Sequence, residues 1–262
     1  MGNLIRPAGP KRRDEIMLRL ENIVISRGDQ IIINDITVEA GRGDVIALFG
    51  PNGAGKTTLL HCIAGILESD SGEIFYRGEE VNPDSPEWRS RLTYVLDDGG
   101  TIPLLTVEEQ IYLQCILTGV GHEEAADRTG FIIDLLELGK HRGYRGEELS
   151  TGLRKRLGIG LGIVRDAEIF LFDEPLSSLD VPGMTLFSRI VKTLKGRGRL
   201  VIFASHSFPY LNDLCDRVWA VSGGTITDYS REEDFHRFFH NESMPGDQNN
   251  GEIDIPWILR SE

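Results

Sequence analysis

Gly50-Pro51-Asn52-Gly53-Ala54-Gly55-Lys56-Thr57 is the stretch on which the fold turns. It satisfies the pattern G-x-x-x-x-G-K-[ST] in full. Before it stands an apolar run, Val45-Ile46-Ala47-Leu48-Phe49, of the kind that a parallel sheet covers on both faces. After it, from Gly55 to about Leu67, the residues Leu59, Leu60, Ile63, Ile66 and Leu67 share one helical stripe. Strand, glycine turn and helix in that order make a phosphate cradle. The glycines let backbone N–H groups point inward, and the helix N-terminus adds a favourable dipole. Lys56 is expected to reach the β- and γ-phosphates and Thr57 to hold Mg²⁺. Gly50, Asn52, Gly53, Ala54, Gly55 and Thr58 complete the expected nucleotide contact.

A second motif supports the first. Ile169-Phe170-Leu171-Phe172 is an apolar strand that ends in Asp173 and Glu174, the Walker B form. A strand tip can hold Asp173 against the Mg²⁺ shell, and Glu174, one residue on, can polarise an attacking water. Two acids at a strand end are often only solvated turn residues. Paired with a P-loop upstream they read as a P-loop nucleotide hydrolase.

Elsewhere the pattern alternates between strand and helix. Residues 18–38 carry strand-like runs around a turn at Arg27-Gly28-Asp29, and residues 72–77, 168–172, 200–204 and 217–221 read as further strands. Residues 106–138 are helical in pattern. Thr106 and Glu109 fit a capping box, and Gly119 and Gly121 divide the stretch in two. Ser150 opens another helix, and residues 231–240 look helical. Within the helix after Ser150, Gly158, Gly160 and Gly162 fit either close approach of another backbone or tolerated drift, at about 1 kcal/mol each against alanine.

Three further motifs follow in order. Leu149-Ser150-Thr151-Gly152-Leu153 precedes the Walker B strand, Ser177-Ser178-Leu179-Asp180 follows it, and His206 stands just after residues 200–204. With the P-loop and Walker B, this arrangement resembles the ATP-binding cassette (ABC) ATPases over roughly residues 17–225. The resemblance implies an α/β cassette with a mixed sheet core, an antiparallel β edge and a helical subdomain at about 95–160. It implies that Ser150 and Gly152 form a second phosphate cradle facing the P-loop of another subunit, so the active unit is a cassette dimer. His206 resembles the switch histidine at the γ-phosphate, and Asp180 the residue that crosses the dimer seam. The helical subdomain resembles the part that docks on a membrane permease.

The chain departs from that pattern in three places. No Tyr, Phe or Trp occurs in residues 1–48, so no aromatic is available to stack on adenine; Arg27 stands near that position. A guanidinium can stack on a base, though a turn-exposed arginine with no such role fits equally. After Tyr94-Val95-Leu96 the expected glutamine is Asp97, followed by Asp98; as its stand-in, Asp97 joins the expected catalytic and Mg²⁺-binding set. The signature reads STGL, and with Arg154, Lys155, Arg156 and Leu157 it takes the form LSxGxRxRL. That form resembles cassettes of drug, peptide, polysaccharide and natural-product exporters.

Composition bounds the rest. The 262 residues carry a formal charge of −13, which disfavours non-specific nucleic-acid binding. Cys62, Cys115 and Cys215 give no disulfide framework and no paired metal spacing, which points to a reducing cytosol. No apolar run approaches the roughly 18 residues of a membrane span, and no signal peptide or myristoylation pattern is expected. Residues 1–16, with Lys11, Arg12 and Arg13, read as a flexible arm, and 241–262 as a tail. Ile253 to Leu259 in that tail, with Trp257, are expected to dock on a protein surface. His61, His122, His141, His236 and His240 have no ligand spacing, and Phe235, Phe238 and Phe239 read as a packing face.

The expectation is therefore an Mg²⁺-dependent ATPase of residues 17–240. It is expected to bind ATP, pair with an identical or paralogous cassette, and sit on the cytoplasmic face of a membrane through permease subunits of an exporter. The alternatives are a soluble cassette that remodels a cytosolic assembly, a haem-exporter type, and a cassette that binds ATP mainly as a regulatory clamp.

Overall fold

The computed structural model describes residues 16–206, 214–230 and 255–257. Expectations for the arm 1–15, the helix 231–240 with its phenylalanines, and most of the tail lie outside the described residues.

The first two strands, β1 (Ile16–Arg27) and β2 (Gln30–Gly41), are longer than the separate runs in the sequence suggest. They form an antiparallel hairpin with register shifts at Leu20/Ile23 and Ile25/Ser26, where the alternation slips. With β4 (Ser71–Tyr76) and β5 (Glu79–Glu80) they make a four-stranded sheet in the order β2-β1-β4-β5. This is the expected antiparallel edge.

The second sheet carries the chemistry. Its strands are β3 (Val45–Phe49), β6 (Leu92–Val95), β7 (Ile169–Phe172), β8 (Leu200–Ser205), β9 (Arg217–Ser222) and β10 (Thr225–Ser230). The order is β10-β9-β3-β8-β7-β6, parallel throughout except for β10. Each apolar run serves two cores. Val45, Ala47, Phe170, Phe172, Val201 and Phe203 face one, and Ile46, Leu48, Ile169, Leu171, Ile202 and Ala204 face the other. That double burial explains why the strands read as continuous apolar runs rather than alternations.

Helices cover the sheet: α1 (Lys56–Ile63), α2 (Pro86–Arg91), α3 (Val107–Leu117), α4 (His122–Leu135), α5 (Thr151–Ile163) and α6 (Val181–Gly196). Thr106 caps α3 in the expected box with Glu109. α1 stops at Ile63, short of Leu67, where Gly65 takes a left-handed φ of 68° and a Cβ would strike the Pro83 carbonyl.

The glycines of α5 mark close approach. A Cβ on Gly158 would lie 2.5 Å from the Cα of Gly99, so helix and loop touch backbone to backbone. Gly160 makes room for Leu136 and Ile132, and Gly162 for Val95 and Thr93.

Of the stretch expected to dock on a protein surface, residues 255–257 are described, and they pack against this chain. Ile255 is fully buried, and its carbonyl accepts from Arg197 at the end of α6. Trp257 donates to the Ile163 carbonyl of α5 at 2.8 Å, and meets Phe131 of α4 edge-on with Arg128 over its ring. Ile255 and Trp257 thus cover a surface formed by α4, α5 and the end of α6.

Candidate functional site

Parallel pairing explains why motifs scattered from Gly50 to His206 meet. In register, Phe49 of β3 faces Ser205 of β8, Phe203 of β8 faces Phe172 of β7, and Phe172 faces Val95 of β6. The C-terminal ends of four neighbouring strands therefore lead into Gly50, His206, Asp173 and Asp97 along one sheet edge. Ligands of open parallel sheets bind at such an edge.

The loop after β3 has the geometry that its sequence requires. Gly53 and Gly55 sit at φ of 80° and 103°, and a Cβ on Gly50 would lie 2.5 Å from the Val221 carbonyl. Gly55 is the N-cap of α1 and leaves the first N–H groups of the helix to the loop. Lys56 is buried. Its ammonium donates to the carbonyls of Gly50 at 2.8 Å and Pro51 at 3.2 Å, and lies 3.4 Å from Glu174 Oε1.

Asp173 is fixed by its neighbours. Its N–H donates to the Val95 carbonyl at 2.9 Å, and Tyr94 donates its hydroxyl to Oδ2 at 3.2 Å. Oδ1 is buried with no hydrogen-bond partner. Burial pushes the Asp173 carboxyl above its usual range, against the neighbouring Thr57 and Tyr94 hydroxyls that pull it down. Tyr94 escaped the sequence reading, because only the β6–β7 register reveals its reach. Burial and the Asp173 charge raise its own pKa, which keeps it a donor.

Glu174 joins three elements. Its backbone takes the left-handed region, at φ 46°, which a non-glycine residue adopts only under constraint. One carboxylate oxygen lies near Lys56, and the other is 2.9 Å from His206 Nδ1. The P-loop lysine, the Walker B glutamate and the histidine after β8 thus form one contact chain.

The sequence model of the ABC transporter family matches residues 33–177, just over half of the chain. The chain belongs to that family. The linearmycin resistance ATP-binding protein LnrL of Bacillus subtilis is 29% identical over 80% of this chain and 68% of its own. The maltose/maltodextrin import ATP-binding protein MalK of Yersinia pestis is 30% identical over 87% of this chain and 62% of its own. A dimeric ATP-binding cassette in a post-hydrolysis state with ADP and Pi superposes with a TM-score of 0.75 at 22% identity, covering 83% of this chain and all of its own. The resemblance read from the motifs is thereby upheld, as is ATP hydrolysis as the family's reaction.

The remaining expected residues of this ABC cassette differ in exposure. Ser150 is the exposed N-cap of α5, its Oγ accepting from Leu153 N–H at 3.3 Å. Gly152 answers a second demand, since a Cβ there would be 2.8 Å from the Ser178 carbonyl. Asp180 caps α6 and pairs with Arg156, which holds its carboxyl below the usual range. Arg27 is exposed where β1 turns into β2, facing Gln30 in the hairpin register. Asn52 is exposed and Thr58 buried on either side of Lys56. Asp97 Oδ1 accepts from the Lys155 ammonium at 2.7 Å.

Proposed function

We propose that this ABC cassette is the ATP-hydrolysing motor of a membrane exporter, working as a dimer in which each nucleotide lies between one P-loop and the partner's Ser150. The carrying observation is the convergence of Lys56, Glu174 and His206 at the ends of adjacent parallel strands. In this reading Lys56 binds the terminal phosphates and Glu174 accepts the proton of the attacking water. His206 orients Glu174 and the water.

The buried, partnerless Oδ1 of Asp173 suits a cation, so the residues present fit Mg²⁺. Thr57 and Asp173 would hold it, and when bound it would neutralise phosphate charge. Gly50, Asn52, Gly53, Ala54, Gly55 and Thr58 frame the phosphates, and Arg27 offers a guanidinium to the base. Ser150, Gly152 and Asp180 form the face offered to the second cassette.

A permease partner is supported by Leu96, Ile102 and Leu104, large apolar side chains that are exposed in the segment joining β6 to α3. Among the described residues no helix is long and apolar enough to cross a membrane, so attachment would be peripheral, on the cytoplasmic face. Export rather than import rests on the LSxGxRxRL form and on LnrL, a resistance protein by name; MalK, by name, serves import. Co-purification from detergent-solubilised membranes tests this reading. A polytopic partner that stimulates ATP turnover is expected, and a purely soluble complex would favour the remodelling alternative.

A further inference from the structure

Lys155 is buried to 4% exposure in the second turn of α5, and none of the roles above uses it. Lysine is almost never fully buried unless paired. Its ammonium has three donors, and three acceptors surround it: Asp97 Oδ1 at 2.7 Å, the Glu174 carbonyl and Ser177 Oγ. These belong to the loop after β6, the turn after β7 and the approach to α6. One side chain of the signature helix thus ties together three segments of the catalytic edge.

Two consequences follow from the chemistry. First, Glu174 sits in a left-handed conformation, at φ 46°, that needs outside support. A charge-assisted bond to its own carbonyl supplies such support, one peptide away from the carboxylate that contacts Lys56 and His206. Second, Asp97 stands where the family's pattern has a neutral glutamine, and it adds a carboxylate to a sheet edge that already carries Asp173 and Glu174. Asp97, Asp173 and Glu174 together would repel a polyphosphate. Lys155 cancels one of those charges. The backbone contact between Gly99 and Gly158, one turn further along α5, holds loop and helix in this register.

We propose that Lys155 is a positioning residue for ATP hydrolysis: it neutralises Asp97 and fixes the Glu174 backbone, so that Asp97 and Lys155 together replace the neutral side chain. Asp97 then acts through Lys155 rather than as a metal ligand. The proposal rests on the reading of Glu174 as the proton acceptor.

The test uses the full chain with Lys155→Met, Asp97→Asn and the double variant. Turnover and the affinities for ATP and ADP, measured with and without Mg²⁺, are compared alongside Tm. Lys155→Met should lower kcat about tenfold. It should also weaken ATP relative to ADP by about fivefold, because an uncancelled Asp97 opposes the extra phosphate. Adding Asp97→Asn should restore the ATP-to-ADP ratio but not kcat, since the Glu174 carbonyl stays unsupported. A merely structural lysine would lower Tm and both affinities equally, with no recovery from Asp97→Asn; that result, or a parental kcat in Lys155→Met, overturns the proposal. Glu174→Gln run in parallel separates the two readings. If it keeps turnover, the proton-acceptor assignment fails, while the affinity ratio still reports on the Asp97–Lys155 pair.

Discussion

His206 Nδ1 lies 2.9 Å from Oε2 of Glu174, and the other oxygen of that carboxylate lies 3.4 Å from Lys56. The glutamate is gripped at both oxygens by residues that follow two different strands, and its backbone is held in an uncommon conformation. A carboxylate so placed has little rotational freedom to lose when it takes up a proton.

Replacing Glu174 by Gln keeps size and hydrogen-bonding capacity but removes the proposed proton acceptor. Turnover should fall by at least about a hundredfold while ATP affinity stays within about twofold. Single-turnover and equilibrium-binding measurements check both halves. Turnover near the parental rate would place the base elsewhere.

His206→Ala removes the partner of Oε2. A drop in kcat of about tenfold to a hundredfold is expected, with KM for ATP little changed, because an orienting contact acts on the chemical step. Steady-state kinetics would show instead a rise in KM alone if the histidine only binds nucleotide.

Glu168 shows how the outer structure depends on pH. Burial alone would raise its pKa, but the hydrogen bond from Tyr76 and the charges of Arg77 and Arg91 outweigh it, and the carboxyl lies below its usual range. A lowered folded pKa means stability present above about pH 4.3, the ordinary glutamate value, and lost as pH falls further. Glu168→Gln should therefore cost about 1 kcal/mol at pH 7 and flatten the acid limb of stability below pH 5. Urea unfolding at pH 7 and pH 4 measures the difference; equal costs at both would rule the charge out.

Trp257 ties the C-terminal stretch to α4 and α5. Trp257→Ala should destabilise by about 2 kcal/mol, less than a fully buried tryptophan, and Trp257→Phe by about 1 kcal/mol through the lost bond to Ile163. Thermal unfolding ranks the variants. A Tm unchanged in both would mean that the segment contributes nothing to the isolated cassette.

Much of this site is legible in the residues themselves. A P-loop, a Walker B strand and His206 are local patterns, and apolar runs such as 45–49 announce strands buried on both faces. What the pattern cannot convey is reach. Tyr94 meets Asp173, and Lys155 meets Asp97, only through strand register and helix placement. The apolar character of Ile255 and Trp257 signals a need for cover without naming the surface that gives it. α2 passed unread because it has six residues, although Ser85 and Pro86 form an N-cap and first-turn signal. Arg154 to Arg156 carry the LSxGxRxRL form, but nothing in that form shows that Lys155 and Arg156 are buried in ion pairs.

In the proposed dimer, Ser150 completes the nucleotide site of a second copy. Sedimentation velocity on Glu174→Gln, with and without saturating ATP, tests this arrangement. A monomer is expected without nucleotide and a dimer with ATP, and that dimer should be lost when Ser150→Arg is added, with nucleotide still bound at the P-loop. A Glu174→Gln chain that binds ATP and stays monomeric, or a dimer indifferent to Ser150→Arg, would contradict it.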